Sequence, residues 1–403
     1  MRELPEYDLV VHLCGGQTLP IHYGVRLLRA SRHVFAITRE SEKQFGLFRA
    51  LLSEEGTAAE SLEIPSDSPE LIKERILEKI SGLSPEKVAV NLTGGTKLMF
   101  AGGMEAVRSG NVHGYYVDTP SRKIHHLHEK KTPPTSIPRI FSSVDDFFRL
   151  VDEKVSDPGH WADDPLRNKR IELSKTCWQQ RFWVGNLGGR ILIPQRKQLV
   201  QTDPVTHRVI KYLPFEKKQF INRKDKKIAS ATLRPDYSAE IVFPDETLQI
   251  DHCPDLVDYL GGGWLEEYCF QLLSPLLEKG KIKDLRIGLT TELPKPPPPG
   301  ETSQETHQEL DLCYTDGYEL FIVECKSGYV NQGHVQKLEN LIQKYAGSLG
   351  RGIITGTRRP SSQMERINRS PRITALSGND LEQNFSRQAT NPEVNLNTKR
   401  SAT

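Results

Sequence analysis

Several patterns that would assign this chain to a common class are missing from its 403 residues. No apolar run approaches the roughly 20 residues that a membrane-crossing helix needs, and no secretory signal is recognisable. The six cysteines show no CxxC spacing and lie mostly in apolar contexts, which argues against disulfides and structural zinc. We therefore expect a cytoplasmic protein with reduced thiols and no membrane span.

The sequence also lacks an overall charge of one sign, because 54 Lys and Arg residues nearly balance 52 Asp and Glu residues. The distribution is uneven. Between positions 167 and 227, 16 basic residues stand against 4 acidic ones, with Trp178, Phe182, Trp183 and Tyr212 among them. Basic side chains interleaved with aromatic ones are typical of grooves that bind single-stranded nucleic acid. A solvated basic surface without a partner is the alternative.

The most informative stretch lies near the C-terminal end. Two apolar runs, Leu310–Tyr314 and Tyr318–Cys325, flank Asp316-Gly317. Asp-Gly between apolar runs predicts a β-hairpin with a two-residue loop. That loop would pair Asp311 with Ile322.

Side chains alternate between the two faces of a strand, so this register places Asp311, Ile322, Glu324 and Lys326 on one face. A one-residue change in loop length would move Asp311 to the opposite face. The other face would form a core from Leu310, Leu312, Phe321, Val323 and Cys325.

Two carboxylates and an ammonium group on one face indicate metal-dependent phosphodiester chemistry. Mg2+ and Mn2+ prefer carboxylate oxygens, and either ion can polarise a phosphoryl oxygen and activate a bound water. A lysine beside them can orient that water or offset negative charge on the phosphate. The alternative is a surface salt bridge between Glu324 and Lys326, which would contribute little.

A third metal ligand is expected from the helix predicted after Gly261-Gly262-Gly263. Its apolar residues recur at helical period, and Pro275 should kink it. At about 100° per residue, Glu266 falls beside the apolar stripe and Glu267 nearly opposite it. We therefore expect Glu266 to face the site and Glu267 to be solvated; a glutamate at the helix border without a ligand role is the alternative.

These residues together resemble the PD-(D/E)xK nuclease fold, in the branch found in CRISPR-associated nucleases. The resemblance rests on Gly-Gly-Trp-Leu-Glu, Glu-Leu-Asp and Glu-Cys-Lys, and Leu310 stands where the family often has proline. It implies metal-binding roles for Glu266, Asp311 and Glu324 and a catalytic role for Lys326. More weakly, it suggests Gln336 as a supporting residue.

The first 130 residues alternate strand and helix patterns, which predicts an open, mainly parallel α/β sheet. Ligands of such sheets bind beyond the carboxyl ends of the strands. Two loops fall there, residues 14–20 and residues 91–97, and both are rich in glycine and threonine. They match neither a Walker A loop nor a GxGxxG fingerprint. The residues alone indicate an anion-binding loop or a plain tight turn.

Asn91-Leu-Thr-Gly-Gly-Thr-Lys-Leu-Met99 resembles the signature loop of the CARF domain, the CRISPR-associated Rossmann-like sensor. The resemblance implies binding of a cyclic oligoadenylate, most simply cyclic tetra-adenylate, across the two-fold axis of a homodimer. The ligand-binding residues that it implies are Gln17, Thr18, Leu19, Thr93, Gly94, Gly95, Thr96 and Lys97.

The predicted architecture is therefore α/β, with a Rossmann-like CARF domain (1–135), a basic linker region (136–255) and a PD-(D/E)xK restriction-endonuclease-like domain (256–388). A disordered tail (389–403) should follow. Within the linker region, an inserted β-rich piece is expected from Ile191–Ile193, Val209–Leu213 and Ser238–Phe243. A stiff Pro-rich connector is expected at 294–300.

The function expected from this combination is a cyclic tetra-adenylate-activated, metal-dependent, largely non-specific nuclease of type III CRISPR antiviral defence. It would cleave or nick DNA, RNA or both as a homodimer with Mn2+ or Mg2+. One alternative is a ligand-responsive nucleic-acid-binding regulator with an inactive nuclease site. Another is a ring nuclease whose CARF domain degrades the cyclic messenger.

Overall fold

The computed structural model describes residues 4–128, 132–160, 165–204, 209–292, 307–357 and 372–390. The expected tail and the Pro-rich connector at 294–300 lie almost wholly outside these residues. The chain divides into two compact units. The first, here called the sensor unit, comprises residues 1–153, 317–319 and 343–350. The second, here called the effector unit, comprises residues 154–316, 320–342 and 351–403.

The sensor unit contains a seven-stranded sheet in the order β3-β2-β1-β4-β5-β6-β7. The first five strands in this order are parallel to one another, and β6 and β7 extend the sheet through antiparallel pairs. This confirms the open, mainly parallel sheet expected from the alternating pattern. The strands are β1 Tyr7–Leu13, β2 Ala30–Ile37, β3 Ala58–Glu63, β4 Val88–Asn91, β5 His113–Asp118, β6 Lys123–His126 and β7 Thr135–Ser136.

Among the described residues, five α-helices accompany this sheet. Ser68 accepts a hydrogen bond from the Leu71 N–H, and Pro69 follows it, so side-chain capping and a proline in the first turn fix the start of the third helix. Apolar residues of strands and helices form a common core that includes Leu9, Val34 and Ile72. The helices are α1 Thr18–Leu27, α2 Glu42–Glu54, α3 Pro69–Ile80, α4 Lys97–Gly110 and α5 Asp145–Leu150.

The effector unit is built on a six-stranded sheet in the order β19-β18-β17-β16-β15-β8. Antiparallel pairing joins β8, β15, β16 and β17, whereas β18 and β19 are parallel. The result is the mixed sheet that the nuclease resemblance implies. Its strands are β8 Val155–Asp157, β15 Asp284–Glu292, β16 His307–Thr315, β17 Leu320–Lys326, β18 Gly350–Gly356 and β19 Ile373–Ser377.

The predicted hairpin exists, but the predicted register is wrong. Thr315 pairs with Leu320, and Cys313 pairs with Ile322, so four residues rather than two form the loop. The expected pairing of Asp311 with Ile322 is therefore displaced by two residues. Because side chains alternate with a period of two, this shift keeps Asp311 on the predicted face.

The described apolar residues of the middle region pack into the same core as the nuclease-like part. Buried Trp178, Val184 and Ile241 belong to the same hydrophobic cluster as Trp264 and Leu312 of the nuclease-like part. The four-part division of the chain stays a prediction, but these segments share one interior.

The helices of the effector unit are α6 Pro165–Lys169, α7 Ile171–Gln179, α8 Arg181–Leu187, α9 Arg196–Leu199, α10 Leu256–Asp258, α11 Trp264–Glu278, α12 Gln332–Ala346 and α13 Asn379–Thr390. Of these, α12 continues into the sensor unit at its C-terminal end.

The β-rich piece is present in part. Two expected strands exist, at Val209–Tyr212 and Ala239–Val242, but Ile191–Ile193 is helical. The prediction that Trp178 belongs to a nucleic-acid-binding groove is also wrong, because its side chain is buried and stacks on that of Tyr268. A two-stranded ribbon and a four-stranded antiparallel sheet contain β9 Val200–Thr202, β10 Val209–Tyr212, β11 Phe215–Ile221, β12 Ile228–Leu233, β13 Ala239–Val242 and β14 Thr247–Ile250.

All six cysteines are free and buried. Among the described helices, none is long and apolar enough to cross a bilayer.

Candidate functional site

The hairpin brings together three of the four predicted nuclease residues. The Nζ of Lys326 lies 2.5 Å from the Oε1 of Glu324 and 3.7 Å from the Oδ2 of Asp311. The Cys325 backbone N–H donates to the same Asp311 oxygen at 2.7 Å. Glu324 is almost fully buried, with 1% of its side chain exposed. The lysine therefore bridges two carboxylates that the sheet holds on one face.

The carboxylates of this site repel one another. Burial, followed by the charge of Glu324, raises the pKa of Asp311 to about 6. Burial also raises the pKa of Glu266 well above its usual value, and the charges of Asp311 and Glu309 add to this effect. Burial alone would lower the pKa of Lys326, but the two carboxylates outweigh it and raise that pKa. Burial and mutual repulsion together disfavour the charged forms of Asp311 and Glu266, so a cation bound among these carboxylates would stabilise their charge.

Glu266 lies in the first turn of α11, and the carboxylates that raise its pKa belong to β16. This agrees with its predicted orientation toward the site. The prediction for Glu267 is wrong. Its side chain is buried and accepts a hydrogen bond from Arg170 at 2.5 Å. Arg170 directly precedes α7, which packs against α11, so the face opposite the apolar stripe is covered rather than solvated.

Sequence reasoning missed two basic residues near the carboxylates. Lys337 on α12 places its Nζ 3.5 Å from the Oε1 of Glu324, whereas the resemblance suggested its neighbour Gln336. Arg167 on α6 lowers the pKa of Glu266 by its charge and lies beside Gly288 of β15. The excess of lysine and arginine from position 167 onward was the available signal for Arg167. Nothing in the pattern singled out Lys337.

The donor types fit a hard divalent cation. Glu266, Asp311 and Glu324 supply carboxylate oxygens from a helix and two strands, and their mutual repulsion favours a cation among them. Within the part of the chain that the structure describes, no three His, Cys, Asp or Glu side chains already form a metal-binding group. Lys326 stands between two of the three carboxylates instead.

In the sensor unit, the two glycine-containing loops meet backbone to backbone. A Cβ on Gly15 would lie 2.6 Å from the Gly95 nitrogen, and a Cβ on Gly94 would lie 2.2 Å from the Leu13 oxygen. Gly95 has φ +82°, which side-chain-bearing residues rarely adopt. Both loops follow the carboxyl ends of adjacent parallel strands, β1 and β4. They form a close-packed cradle where α/β sheets bind ligands.

Buried polar side chains fix the second loop from below. Asn91 Oδ1 accepts hydrogen bonds from the Thr93 N–H at 3.1 Å and from the Thr93 hydroxyl at 2.5 Å. The Asn91 Nδ2 donates a hydrogen bond to the His12 Nδ1 at 3.0 Å. The His12 Nε2 and the His33 Nδ1 share a hydrogen bond at 2.8 Å. Thr96 accepts a hydrogen bond from the Met99 N–H and so caps α4, whose first residue is exposed Lys97. The N-terminal end of this helix suits an anion.

The first loop is arranged differently from the second. Gln17 is exposed, but Thr18 and Leu19 are buried in the sensor unit. The Thr18 hydroxyl donates to the Leu150 carbonyl. The ligand-binding roles implied for these three residues stay predictions, and for Thr18 and Leu19 the structure shows packing.

Solved structures with the same fold were found. The chain superposes on Can2 from Sulfobacillus thermosulfidooxidans in complex with cyclic tetra-adenylate, with TM-score 0.65 and 17% identity over 95% of this chain and 98% of that one. It also superposes on protein VC1899 from Vibrio cholerae, with TM-score 0.68 and 15% identity over 94% of this chain and 97% of that one.

A third structure is a type III CRISPR defence DNA nuclease activated by cyclic oligoadenylate. Here the TM-score is 0.55 and the identity 14% over 96% of this chain, which spans 52% of that nuclease. No family model and no curated protein matches the chain. The chain thus has the fold of these proteins, and the resemblance to CARF-domain nucleases is confirmed at the level of the fold.

Proposed function

We propose that this chain is a nuclease that requires a divalent metal and is switched on by cyclic tetra-adenylate in type III CRISPR defence. The observation that carries the proposal is the arrangement of Asp311, Glu324 and Lys326, with Glu266 facing the same charges. The proteins that share the fold support it, since one binds cyclic tetra-adenylate and another is a DNA nuclease activated by cyclic oligoadenylate.

Glu266, Asp311 and Glu324 would hold Mg2+ or Mn2+. When bound, such an ion polarises a phosphoryl oxygen and lowers the pKa of a bound water. Lys326 has its ammonium between two carboxylates, where it can orient an attacking water and offset negative charge on the phosphate. Lys337 adds a second positive charge beside Glu324.

The substrate is DNA, RNA or both, cut with little sequence preference. Phe182 is 51% exposed in a region rich in lysine and arginine, and its ring meets Trp183 and Phe220 edge-on. Exposed aromatic and basic side chains bind bases by stacking and phosphates by charge, neither of which reads sequence.

Cyclic tetra-adenylate would bind over the loop cradle of the sensor unit. Exposed Thr96 and Lys97, with the backbone of exposed Gly95 and half-buried Gly94, offer donors to its phosphates, while Thr93 donates to Asn91 and holds the loop in shape. A ring with two-fold symmetry suits a homodimer in which each copy gives the same loops. Leu98, Phe100 and Tyr116 are exposed on and beside α4 and supply apolar surface for such a pairing.

Two chain segments connect the sensor unit to the carboxylate site. The loop residues 317–319 belong to the sensor unit, whereas the flanking strands carry Asp311 and Glu324 in the effector unit. Within the sensor unit, Arg122 lies over the Tyr318 ring at 4.3 Å and pairs with Glu319 at 3.0 Å. The helix α12 is the second segment: its Lys337 belongs to the effector unit, and its last residues belong to the sensor unit. A ring that prefers one arrangement of the sensor unit can act through these segments.

A cleavage assay with metal exchange tests the nuclease. Supercoiled DNA, single-stranded DNA and RNA would be incubated with the protein and cyclic tetra-adenylate in Mn2+, in Mg2+ or in excess chelator. We expect cleavage of at least one substrate with metal and none with chelator. Lys326→Ala should lower the cleavage rate about 1,000-fold. Cleavage that persists in chelator, or a cleavage rate of Lys326→Ala within tenfold of wild type, contradicts the proposal.

A further inference from the structure

The hairpin of β11 and β12 in the effector unit ends in an exposed basic turn. Residues 221–228, here called the hairpin tip, include four basic residues and one acidic residue. Three of the basic side chains, those of Arg223, Lys224 and Lys226, are exposed and form no ion pair with any described residue. The hairpin tip therefore presents uncompensated positive charge to solvent.

Hydrogen bonds that do not involve these basic side chains hold the turn in shape. The Oδ1 of Asn222 accepts from the Lys224 backbone N–H at 3.1 Å, and the Oδ1 of Asp225 accepts from the Lys227 backbone N–H at 3.1 Å. The Asn222 N–H also donates to the Lys227 carbonyl at 2.9 Å. Backbone groups and two short polar side chains thus fix the turn, and its exposed cations are available to a partner.

Two apolar side chains stand beside these cations. Ile221 and Ile228 pair directly across the two strands and are 45% and 41% exposed. Because side chains alternate along a strand, Phe220 points to the opposite face of the hairpin. Its ring meets Phe182 and Trp183 of α8 there. The hairpin is therefore anchored through one face and presents its isoleucine pair on the other.

The helix that anchors the hairpin also contacts the strand that carries the catalytic residues. A Cβ on Gly185 of α8 would lie 3.1 Å from the carbonyl oxygen of Ser327, which directly follows Lys326. The Ser327 hydroxyl donates to the carbonyl oxygen of Gly261, shortly before α11 begins, at 2.7 Å. Contacts within one unit thus join the hairpin to the surroundings of the carboxylate site.

We propose that the hairpin tip is an arm that binds the sugar-phosphate backbone of the nucleic acid substrate, away from the bond that is cut. Its cations pair with phosphates, and its isoleucines contact sugars and base edges. This inference rests on the proposed function, since it takes nucleic acid as the substrate of the same unit. Basic and apolar side chains together also suit an anionic membrane surface, but the link to the carboxylate site favours nucleic acid.

Fluorescence anisotropy with the full-length protein tests the arm. The probes are labelled single-stranded DNA, duplex DNA and RNA, with saturating cyclic tetra-adenylate and excess chelator to prevent cleavage. The arm variant combines Arg223→Gln, Lys224→Gln and Lys226→Gln. We expect it to bind roughly tenfold more weakly or worse, and the slope of log affinity against log salt to fall by about 2 to 3, because three phosphate contacts are lost.

A second triple variant controls for net charge. Lys279→Gln, Lys281→Gln and Lys283→Gln remove the same three positive charges from exposed positions after the C-terminal end of α11, about 20 Å along that helix from its first turn. We expect this control to lose less than threefold in affinity and both triple variants to keep the wild-type Tm. Equal losses of affinity in the two variants would overturn the arm, since net charge alone would then explain them.

Vesicles containing phosphatidylserine test the alternative partner. We expect no cosedimentation of wild type with them at physiological salt. Vesicle binding that disappears in the arm variant, while affinity for the nucleic acid probes stays unchanged, would overturn the proposal in favour of a membrane surface.

Cleavage kinetics with Mn2+ distinguish this inference from the proposed function. The arm variant should raise KM at least tenfold and keep kcat within threefold, as expected for binding away from the cut bond. If wild type cleaves and the arm variant has wild-type KM and affinity, the arm is wrong and the proposed function stands. If wild type binds through the arm but cleaves nothing with metal, the arm stands and the nuclease is wrong. A wild type that binds none of the probes overturns both.

Discussion

The carboxylate site and the loop cradle, for both of which we propose phosphate-containing ligands, are built in opposite ways. The first gathers charged side chains from separate elements, and burial with mutual repulsion raises the pKa values of Asp311 and Glu266. The second uses backbone, since Gly15 and Gly94 let two loops approach within contact distance of each other. Removing one charged group should therefore end the function of the first site, while the second should be sensitive to added atoms.

The largest expected effect is on the carboxylate site. Lys326→Ala removes the ammonium between Asp311 and Glu324 and should lower the cleavage rate about 1,000-fold, a loss typical of a group that stabilises charge in the transition state. The check is a single-turnover cleavage rate at saturating ring. Binding of the ring should stay unchanged, and a cleavage rate within tenfold of wild type would break the contrast between the two sites.

Two adjacent residues of α11, Glu266 and Glu267, distinguish a carboxylate needed for cleavage from one needed for stability. Glu267→Ala removes one of the two carboxylates, Glu267 and Asp255, that pair with buried Arg170, and should cost about 3 kcal/mol of unfolding free energy. Glu266→Ala relieves repulsion, so it should leave stability unchanged or higher while abolishing cleavage. Urea denaturation with a cleavage assay checks both, and equal destabilisation by the two variants would contradict the assignment.

The cradle should respond to a single added methyl group. Gly95→Ala places a Cβ about 3.0 Å from Met99 at φ +82° and should weaken ring binding roughly tenfold through backbone strain. Gly46→Ala is the matched control, because a Cβ there meets nothing within 4 Å. Calorimetry should show normal ring affinity for the control. Unchanged affinity of Gly95→Ala would mean that the loop geometry does not set binding.

The smallest effect concerns the stability of the sensor unit against pH. Burial lowers the pKa of His33 to about 4 and of His22 to about 3, so both stay neutral when folded. The unfolded chain takes up protons near pH 6.5, so each histidine should reduce stability below that pH by at most about 1.4 kcal/mol per pH unit. Urea denaturation at pH 7, 6 and 5 should give a shallower pH dependence for His22→Gln. Equal dependence in both proteins would contradict this.

The sequence predicted the parts of the fold that depend on local pattern. The strand and helix alternation of the first 130 residues, and the face shared by Asp311, Glu324 and Lys326, follow from periodicity and are confirmed. The hairpin register was wrong by two residues. Asp316-Gly317 indicates a turn, but the loop also includes Tyr318 and Glu319, and their partners within the sensor unit are distant in sequence.

Features that depend on distant partners could not be predicted from pattern. Glu267 is buried because Arg170 reaches it from a segment about 100 residues earlier, which a helical projection of α11 does not contain. The separate basic linker region was inferred from the frequency of its charges and stays a prediction, while its described apolar residues lie in the interior of the effector unit. Lys337 becomes a neighbour of Glu324 only through the packing of α12.

The central claim is that a ligand of the sensor unit controls cleavage at the carboxylate site. Its most direct test is the single-turnover cleavage rate with and without saturating cyclic tetra-adenylate, measured for wild type and for Lys97→Ala. The account predicts a large ring-dependent increase for wild type and a much smaller one for Lys97→Ala, since that lysine stands exposed at the start of α4. Equal rates with and without bound ring in wild type would contradict it.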